Sequence, residues 1–369
     1  MDLAEDRIDE PAIGSDTESD AAAAAGEDTA NLIDRAHRIQ THIAGASPVL
    51  APSKLWKTLA RNHEGLLHTL GIERFKRGLS QSYSTFAIRR LTHPNYRAVL
   101  RAFLRRPRRL PFSARMAPGH VVNAFGEARL AGRLRQHVYA SYVGLLWAMI
   151  DDGTDDLPAR LAEPSVGDPL PVMVGGKPVS QDLATSIHEI RAMRPHLSRH
   201  GVLAEVGAGY GRLGQVARES GLRYWVFDIA PALTVSEWYL GQVFPDARHF
   251  RWRPFASWEE VVQEAESADF AFFSADQIGL LPPGRIDVFA AISCLHEMTD
   301  AQCAYFLEQM GEKARTAIYT RNWTEMRNHQ DRLTFRAADL APPPGWRVGT
   351  TRRDRLWPRF TEQLFVRDS

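Results

Sequence analysis

A glycine-rich run between Val202 and Gly214, with the sequence VLAEVGAGYGRLG, constrains the fold of this chain more than any other feature. Its first five residues are mostly apolar and predict a buried strand, whereas Leu213, Val216 and Ala217 recur at helical spacing beyond the glycines. Glycines at a strand-to-helix turn can adopt unusual dihedral angles, and they let a ligand approach the free N–H groups at the helix start. The sequence therefore predicts a nucleotide-type site at this turn.

Two motifs share these glycines and imply different cofactors. Gly209, Gly211 and Gly214 satisfy G-x-G-x-x-G, which is typical of dinucleotide sites, whereas Glu205, Gly207, Gly209 and Gly211 give E-x-G-x-G-x-G, the pattern of S-adenosyl-L-methionine (SAM) sites. A carboxylate suits the ammonium and sulfonium groups of SAM and is a poor neighbour for phosphates. We favour SAM, and an NAD(P)-dependent oxidoreductase remains the alternative.

The next strand predicted along the chain is Arg223 to Asp228, which ends in an acid 21 residues after Gly207. An acid at this place is positioned to bind ribose hydroxyls in either cofactor. We therefore include Asp228 and the following Ile229 in the cofactor site. Tyr210, inside the turn, either lies over the methionine portion of SAM or packs between helix and strand.

The charge of the chain is unevenly distributed along its 369 residues. The net charge is +1, but residues 1–30 hold ten acids and one arginine, which leaves +10 on the remainder. This start has almost no apolar side chain to bury and is predicted to be a disordered acidic tail. We expect a helical N-terminal region, or cap, over 31–200 and a SAM-binding domain over 201–369.

The composition favours a soluble cytoplasmic protein. The start of the chain lacks the basic and apolar regions of a signal peptide, and no apolar run is long enough to cross a bilayer. Two cysteines, Cys294 and Cys303, are too few for a disulfide scaffold or a cysteine zinc site. No metal site is indicated.

The pattern after Asp228 predicts an α/β fold in which strands and helices alternate. The predicted elements are a helix from Pro231 to Val243, a helix from Trp258 to Glu266, strands over Asp269–Ser274, Ile286–Cys294 and Ala314–Thr320, a helix over Asp300–Glu312, and final strands over Trp346–Thr351 and Gln363–Arg367. Strand–helix repeats followed by a strand pair describe a doubly wound, mostly parallel sheet with an antiparallel edge.

Ligands bind beyond the carboxyl ends of the strands in such sheets. That edge gathers Glu205, Asp228, Ser274 to Gln277, Cys294 to Met298 and Arg321 to Trp323. Asp276 and Gln277 follow a strand and are placed to meet the adenine edge, with simple turn chemistry as the alternative. Ser293 completes the predicted cofactor set.

Several segments together resemble the bacterial sugar O-methyltransferases, which are similar to class I SAM-dependent methyltransferases with a seven-stranded, Rossmann-like sheet. The segments are Glu163-Pro164 with Gly167 and Pro169, Ser180 to Leu183 with Ser186 and Glu189, Glu205 to Arg212, and Leu295 to Met298. The resemblance covers roughly Lys54 to the C-terminus. It implies a sugar or glycoside acceptor, and it makes Glu163, Ser180 and Glu189 contributors to the pocket wall.

Methyl transfer to a hydroxyl requires a base near the methyl group. His296 follows the strand Ile286–Cys294 on the ligand edge, and its ordinary pKa of about 6.5 suits proton abstraction near neutral pH. A structural histidine is the alternative. Glu297 either orients the imidazole, binds a sugar hydroxyl or stabilises a helix start.

The arginine-rich segment 97–115 raises the question of whether the protein binds nucleic acid. Its arginines have few interleaved aromatic residues and no recognisable binding module around them, so we expect a solvated face or ion pairs with carboxylates and no nucleic-acid partner. Contact with an anionic substrate such as a nucleotide sugar or sugar phosphate is the alternative. The helices of the front half have apolar faces, which we expect to cover the acceptor pocket or to form a homodimer. A non-catalytic partner subunit remains a further alternative.

Overall fold

The computed structural model describes residues 19–46, 48–78, 91–105, 115–116, 129–170 and 172–368. The chain divides into two compact units. As far as their residues are described, the first unit comprises Met1–Ala30, Leu66–His188 and Arg355–Pro358, and the sheet unit comprises Asn31–Gly65, Glu189–Asp354 and Arg359–Ser369. The sheet unit thus includes residues 31–65, which we assigned to a separate N-terminal region.

The helices and strands are as follows. The helices are α1 (Ser19–Ala46), α2 (Lys54–Leu70), α3 (Phe75–Gly78), α4 (Pro94–Arg105), α5 (Arg129–Ile150), α6 (Leu157–Arg160), α7 (Gln181–Met193), α8 (Arg212–Glu219), α9 (Ala232–Val243), α10 (Val262–Ser267) and α11 (Asp300–Lys313). The strands are β1 (Arg115–Met116), β2 (Val172–Val174), β3 (Lys177–Val179), β4 (Val202–Val206), β5 (Arg223–Asp228), β6 (His249–Phe250), β7 (Phe270–Ser274), β8 (Ile286–Ile292), β9 (Ala314–Trp323), β10 (Glu325–Asn328), β11 (Leu333–Arg336), β12 (Trp346–Arg353) and β13 (Phe360–Arg367).

The main sheet has the order β12-β13-β9-β8-β4-β5-β7-β6. Strands β4 to β9 pair in parallel, whereas β13 is antiparallel to both β9 and β12. The predicted doubly wound, mostly parallel α/β fold is confirmed, with eight strands in place of seven. The additional strand is β6, whose two residues are too short to leave a period in the sequence.

The central strands are buried along their whole length. Every residue of β4, β7 and β8 is buried, as a strand covered on both faces requires. Aromatic rings fill the core between β5 and β7, where Phe227 stacks on Phe273 with ring centroids 5.0 Å apart. A rigid core of this kind fixes the positions of the loops at the strand ends.

In the first unit, the stretch from Asp151 to Val179 is rich in prolines and glycines and has the composition of a long loop. This stretch contains α6 and the hairpin of β2 and β3. Gly175 and Gly176 form its two-residue turn with φ of 59° and 81°, the signature of a type I′ hairpin. A Gly-Gly pair between short apolar runs is the signal that we missed.

Helices α2 to α7 and the second part of α1 lie in the region 31–200, which we predict to be helical. The Oγ of Ser53 accepts a hydrogen bond from the N–H of Trp56 at 3.1 Å and so caps α2. Residues 1–18 of the predicted acidic tail lie outside the described residues, and its residues 19–30 form the first part of α1. None of the described helices combines the length and apolar character that crossing a membrane demands.

The arginine-rich segment is only partly described. Arg97, Arg101 and Arg105 lie on α4 with exposed side chains, as a solvated face requires. Arg106, Arg108 and Arg109 lie outside the described residues.

Candidate active site

The turn from β4 to α8 has the backbone geometry that its glycines predict. Gly207, Gly209 and Gly211 have φ of 72°, 61° and 80°, the left-handed region that L-residues disfavour. A Cβ on Gly207 would stand 2.5 Å from the Cβ of Cys294, in the loop that follows β8. This turn is therefore both conformationally restricted and pressed against the neighbouring loop.

Gly214 has a packing role. It lies in α8, and a Cβ there would meet the ring of Tyr224 at 2.8 Å and the Leu240 side chain at 2.9 Å. The third glycine of the dinucleotide motif serves the same close approach of helix to strand. Gly214 therefore fits either motif and does not separate the two cofactors.

Asp228 ends β5 beside this turn and is buried. Its Oδ2 accepts a hydrogen bond from the N–H of Gly209 at 3.0 Å, and its Oδ1 accepts one from the N–H of Ile229 at 2.7 Å. A carboxylate offers about four lone-pair sites, so both oxygens keep acceptor capacity. Burial raises the pKa of Asp228 to about 7, and the backbone N–H donors oppose that rise.

Glu205, in β4, is only 2% exposed. It accepts a hydrogen bond from the hydroxyl of Tyr224. Burial raises the pKa of Glu205 to about 8, although the Arg212 charge and the Tyr224 hydrogen bond both lower it and the charge of Asp228 raises it further. The guanidinium of Arg212 is itself held by two hydrogen bonds of 2.6 and 2.9 Å to Glu189.

Glu189 joins Arg212 to a buried ion-pair network that sequence reasoning missed. In β9, Nη1 of Arg321 lies 3.2 Å from Oε1 of Glu189, and Nη2 of Arg321 lies 2.8 Å from Oδ2 of Asp354. The carbonyl of Arg321 accepts a hydrogen bond of 2.8 Å from the N–H of Ser293, which has a left-handed φ of 58°. The partners are far apart in sequence, so only tertiary structure brings these opposite charges together. The backbone hydrogen bond to β9 holds the strained Ser293 just after the end of β8.

Asn322 fixes the loop after β8. Its Oδ1 accepts hydrogen bonds from the backbone N–H groups of Cys294 and Leu295 at 3.2 and 3.1 Å, and it lies 3.2 Å from Nδ1 of His296. Because the two backbone donors identify this atom as the oxygen, Nδ1 must carry the imidazole proton. Nε2 of His296 therefore keeps a lone pair.

His296 is 4% exposed, and its ring stacks on Trp323 with centroids 5.6 Å apart. Burial lowers the pKa of His296 to about 4, so the imidazole is neutral at physiological pH. Glu297 Oε1 lies 3.9 Å from Nε2. Burial and the charge of Asp228 raise the pKa of Glu297 to about 8.

Asp276 and Gln277 differ in their capacity to bind a ligand. Asp276 Oδ2 lies 3.0 Å from Nε2 of His42 in α1, while its Oδ1 is buried and has no hydrogen-bond partner among the described residues. The side chain of Gln277 bonds to the N–H of Ser274 and to the carbonyl of Arg253. The side chain of Gln277 thus makes the turn hydrogen bonds that we gave as the alternative, and its contact with adenine stays a prediction.

The structure also gives the surroundings of Tyr210, Glu163 and Ile229, whose ligand contacts stay predictions. Tyr210 is buried edge-to-face against Tyr239 of α9, with centroids 5.2 Å apart. Glu163 belongs to the first unit, where its two oxygens bond to Lys76 at 2.6 Å and to Ser180 at 2.5 Å. Ile229 contributes its N–H to Asp228, as described above.

Comparison with known proteins gives similar solved structures and no closer relative. No family model matches the chain, and no curated protein matches it. Magnesium protoporphyrin IX methyltransferase from Synechocystis PCC 6803, solved with bound SAM, is 10% identical over 51% of this chain and 79% of its own, with a TM-score of 0.34.

Two other methyltransferase structures give similar figures. The TehB-like SAM-dependent methyltransferase from Corynebacterium glutamicum is 14% identical over 49% of this chain and 87% of its own, with a TM-score of 0.34. A SAM-dependent methyltransferase from Mesorhizobium loti is 14% identical over 48% of this chain and 97% of its own, with a TM-score of 0.32.

Proposed function

We propose that this protein is a SAM-dependent O-methyltransferase that methylates a hydroxyl of a sugar or glycoside. The observation that carries the proposal is the set of three acids, Glu205, Asp228 and Glu297, around the glycine turn. Each has a raised pKa, and in the described part of the chain none forms an ion pair with lysine or arginine. A cation lowers the pKa of such acids and ionises them, so the site is matched to SAM, which carries positive charge on its sulfonium and ammonium groups.

The same acids argue against the dinucleotide alternative. A pyrophosphate beside Glu205 and Asp228 would raise their pKa values further, and Arg212, the cation that acts on Glu205, is already paired with Glu189. An anionic ligand would gain little from this turn. The acids therefore favour a cationic cofactor over NAD(P).

Individual residues are suited to different parts of the cofactor. Asp228 retains lone pairs for the ribose hydroxyls, and the unpartnered Oδ1 of Asp276 suits an adenine amino group, which is a donor. His42 fixes the other oxygen of Asp276 and so orients this carboxylate. The bound cofactor supplies an activated methyl group on sulfur.

His296 is the proposed general base. With its proton on Nδ1 and bonded to Asn322, the neutral ring presents Nε2 to take the proton of an acceptor hydroxyl. Glu297, protonated at neutral pH, can donate a hydrogen bond to the acceptor. Trp323, which stacks on His296, adds an apolar ring beside it, and the sequence resemblance supplies the sugar as the expected acceptor class.

Calorimetric titration of the full chain with SAM and with NAD⁺ tests the cofactor assignment. We expect saturable SAM binding that S-adenosylhomocysteine competes for, and no comparable binding of NAD⁺. Tight NAD⁺ binding without SAM affinity would contradict the proposal.

Mass spectrometry with a panel of sugars and glycosides tests the acceptor class. A mass gain of one methyl group (about 14 Da) on a hydroxyl-bearing sugar supports it. Methylation only of nitrogen-bearing acceptors would retain the cofactor and refute the O-methyltransferase assignment.

A further inference from the structure

A second polar site lies at the opposite edge of the main sheet from the glycine turn. A cavity of about 200 Å³ opens where β4, β5, β8 and β9 begin. It is lined by Val202, Arg223, Trp225, Glu266, Arg285, Asp287 and Arg315. Three guanidinium groups and two carboxylates thus surround one small space, which the proposed methyl transfer does not use.

The two carboxylates of the cavity are already engaged. Glu266 pairs with Arg285. Asp287 Oδ2 accepts hydrogen bonds from the hydroxyl of Ser198 at 3.0 Å and from the N–H of Val202 at 2.9 Å, while its Oδ1 lies 3.7 Å from Arg315. Each acid is therefore matched with one arginine or with neutral donors.

Arg223 is the cation left over. Its Nη1 donates a 2.7 Å hydrogen bond to the neutral carbonyl of Glu266, and among the described residues no carboxylate lies within ion-pair distance of its guanidinium. Burial lowers the pKa of Arg223, and the nearby positive charges of Arg285, Arg315 and Arg248 lower it further, while Asp287 opposes them. A half-buried guanidinium among like charges is stabilised by an anion.

Trp225 forms part of the inner wall of the cavity. Its side chain is 1% exposed, and its ring packs against Trp258 with centroids 5.6 Å apart. A ligand bound in the cavity would therefore lie beside this ring.

We propose that this cavity binds a phosphate-like oxyanion through Arg223, Arg285 and Arg315. Guanidinium groups are donors only, and their planar forks match the oxygens of a phosphoryl group. The volume accommodates one such group. Inorganic phosphate and the phosphoryl group of a small phosphomonoester share this chemistry.

Titration of the full chain with inorganic phosphate, at constant ionic strength, tests the proposal. With ¹⁵N-labelled tryptophan, the Trp225 indole signal is identified by its absence in Trp225→Phe. We expect this signal to shift with saturable dependence on phosphate, because the Trp225 ring lines the cavity. Parallel titration with glycerol phosphate distinguishes a phosphomonoester from free phosphate as the preferred ligand.

The double variant Arg285→Gln/Arg315→Gln should weaken phosphate binding at least tenfold. These side chains are 35% and 51% exposed, so the fold should survive their replacement. Arg327→Gln, an exposed arginine on β10, is the matched control and should bind like the parent chain. SAM affinity should be unchanged in all three proteins, which separates this site from the cofactor site.

Two outcomes would overturn the proposal. One is a Trp225 signal that does not respond to either phosphate compound. The other is equal phosphate affinity in the parent and the double arginine variant, which would identify the binding as non-specific. Failure of SAM to bind the parent chain would refute the proposed function and leave this proposal standing.

Discussion

The chemistry proposed for His296 depends on one atom, Nε2, because Asn322 holds the proton on Nδ1. His296→Ala should lower kcat roughly 10²- to 10⁴-fold and leave SAM affinity within a few-fold, since the ring acts on the acceptor. Steady-state kinetics and calorimetry measure the two effects. His196→Ala, which changes a histidine at the far edge of the sheet unit, is the control.

The pKa of His296 also predicts how kcat depends on pH. Because burial lowers the pKa of His296 to about 4, kcat at saturating SAM should stay level as the pH falls through 6.5 and should decline only near pH 4. Our expectation from the sequence alone was a decline at the ordinary imidazole pKa. A decline centred at 6.5 in the parent enzyme that disappears in His296→Ala would contradict the buried, neutral imidazole.

The raised pKa of Asp228 predicts that SAM affinity changes with pH near neutrality. This raised pKa means that the cofactor-free protein gains stability from the protonated carboxyl below the unfolded pKa, near 4, and loses it as the pH rises towards 7. A cationic ligand prefers the ionised form, so SAM affinity should rise about tenfold from pH 5.5 to 7.5. Calorimetry in buffers of different ionisation enthalpy detects the released proton. Asp228→Asn should bind more weakly and lose most of the slope.

At the scale of elements, the glycine turn and the loop after β8 depend on each other. Gly207→Ala should lower stability by at least about 2 kcal/mol, because φ of 72° disfavours an L-residue and the new Cβ would clash with Cys294. Gly241→Ala in α9 is the matched control, because its Cβ position lies more than 4 Å from every described atom outside the adjoining backbone of its own helix, and it should stabilise by about 0.5–1 kcal/mol. Thermal unfolding measures both, and an equal effect of the two would show that the turn is not restricted.

Asn322 connects β9 to the same loop, and we infer that it positions His296. Asn322→Ala removes the acceptor for two backbone N–H groups and for Nδ1, so kcat should fall at least tenfold. Asn322→Asp keeps an acceptor oxygen and places a negative charge beside the imidazole. It should restore turnover and move the acid limb to higher pH, which a purely structural role would not do.

At the scale of the whole molecule, residues 31–65 belong to the sheet unit. Nη2 of Arg35 lies 2.9 Å from Oε2 of Glu237. The carboxylate of Asp331 accepts hydrogen bonds from the N–H groups of Lys54 and Leu55 at the start of α2. Deleting residues 1–65 should therefore destabilise the sheet unit and abolish SAM binding. The full-length double variant Arg35→Gln/Asp331→Ala should lower the melting temperature in the same direction. An active, stable truncated protein would contradict this assignment.

The sequence by itself determined the fold class, the glycine turn and Asp228 at the end of β5, because each depends on local properties. Apolar runs of strand length, helical periodicity and glycine at a left-handed turn are readable over a dozen residues. The same reasoning extended to most helices and strands of the sheet unit. It could not identify β6, which is only two residues long.

Only the tertiary structure decided the electrostatics and the roles of single side chains. Burial, and not residue type, gives His296 a low pKa and the three acids high ones, and burial depends on strands distant in sequence. The ion pairs of Glu189 with Arg212 and Arg321 and the binding of Gln277 to backbone groups arise in the same way. A one-dimensional pattern records which residues are present, but the free energy of a charge depends on which other groups surround it in space.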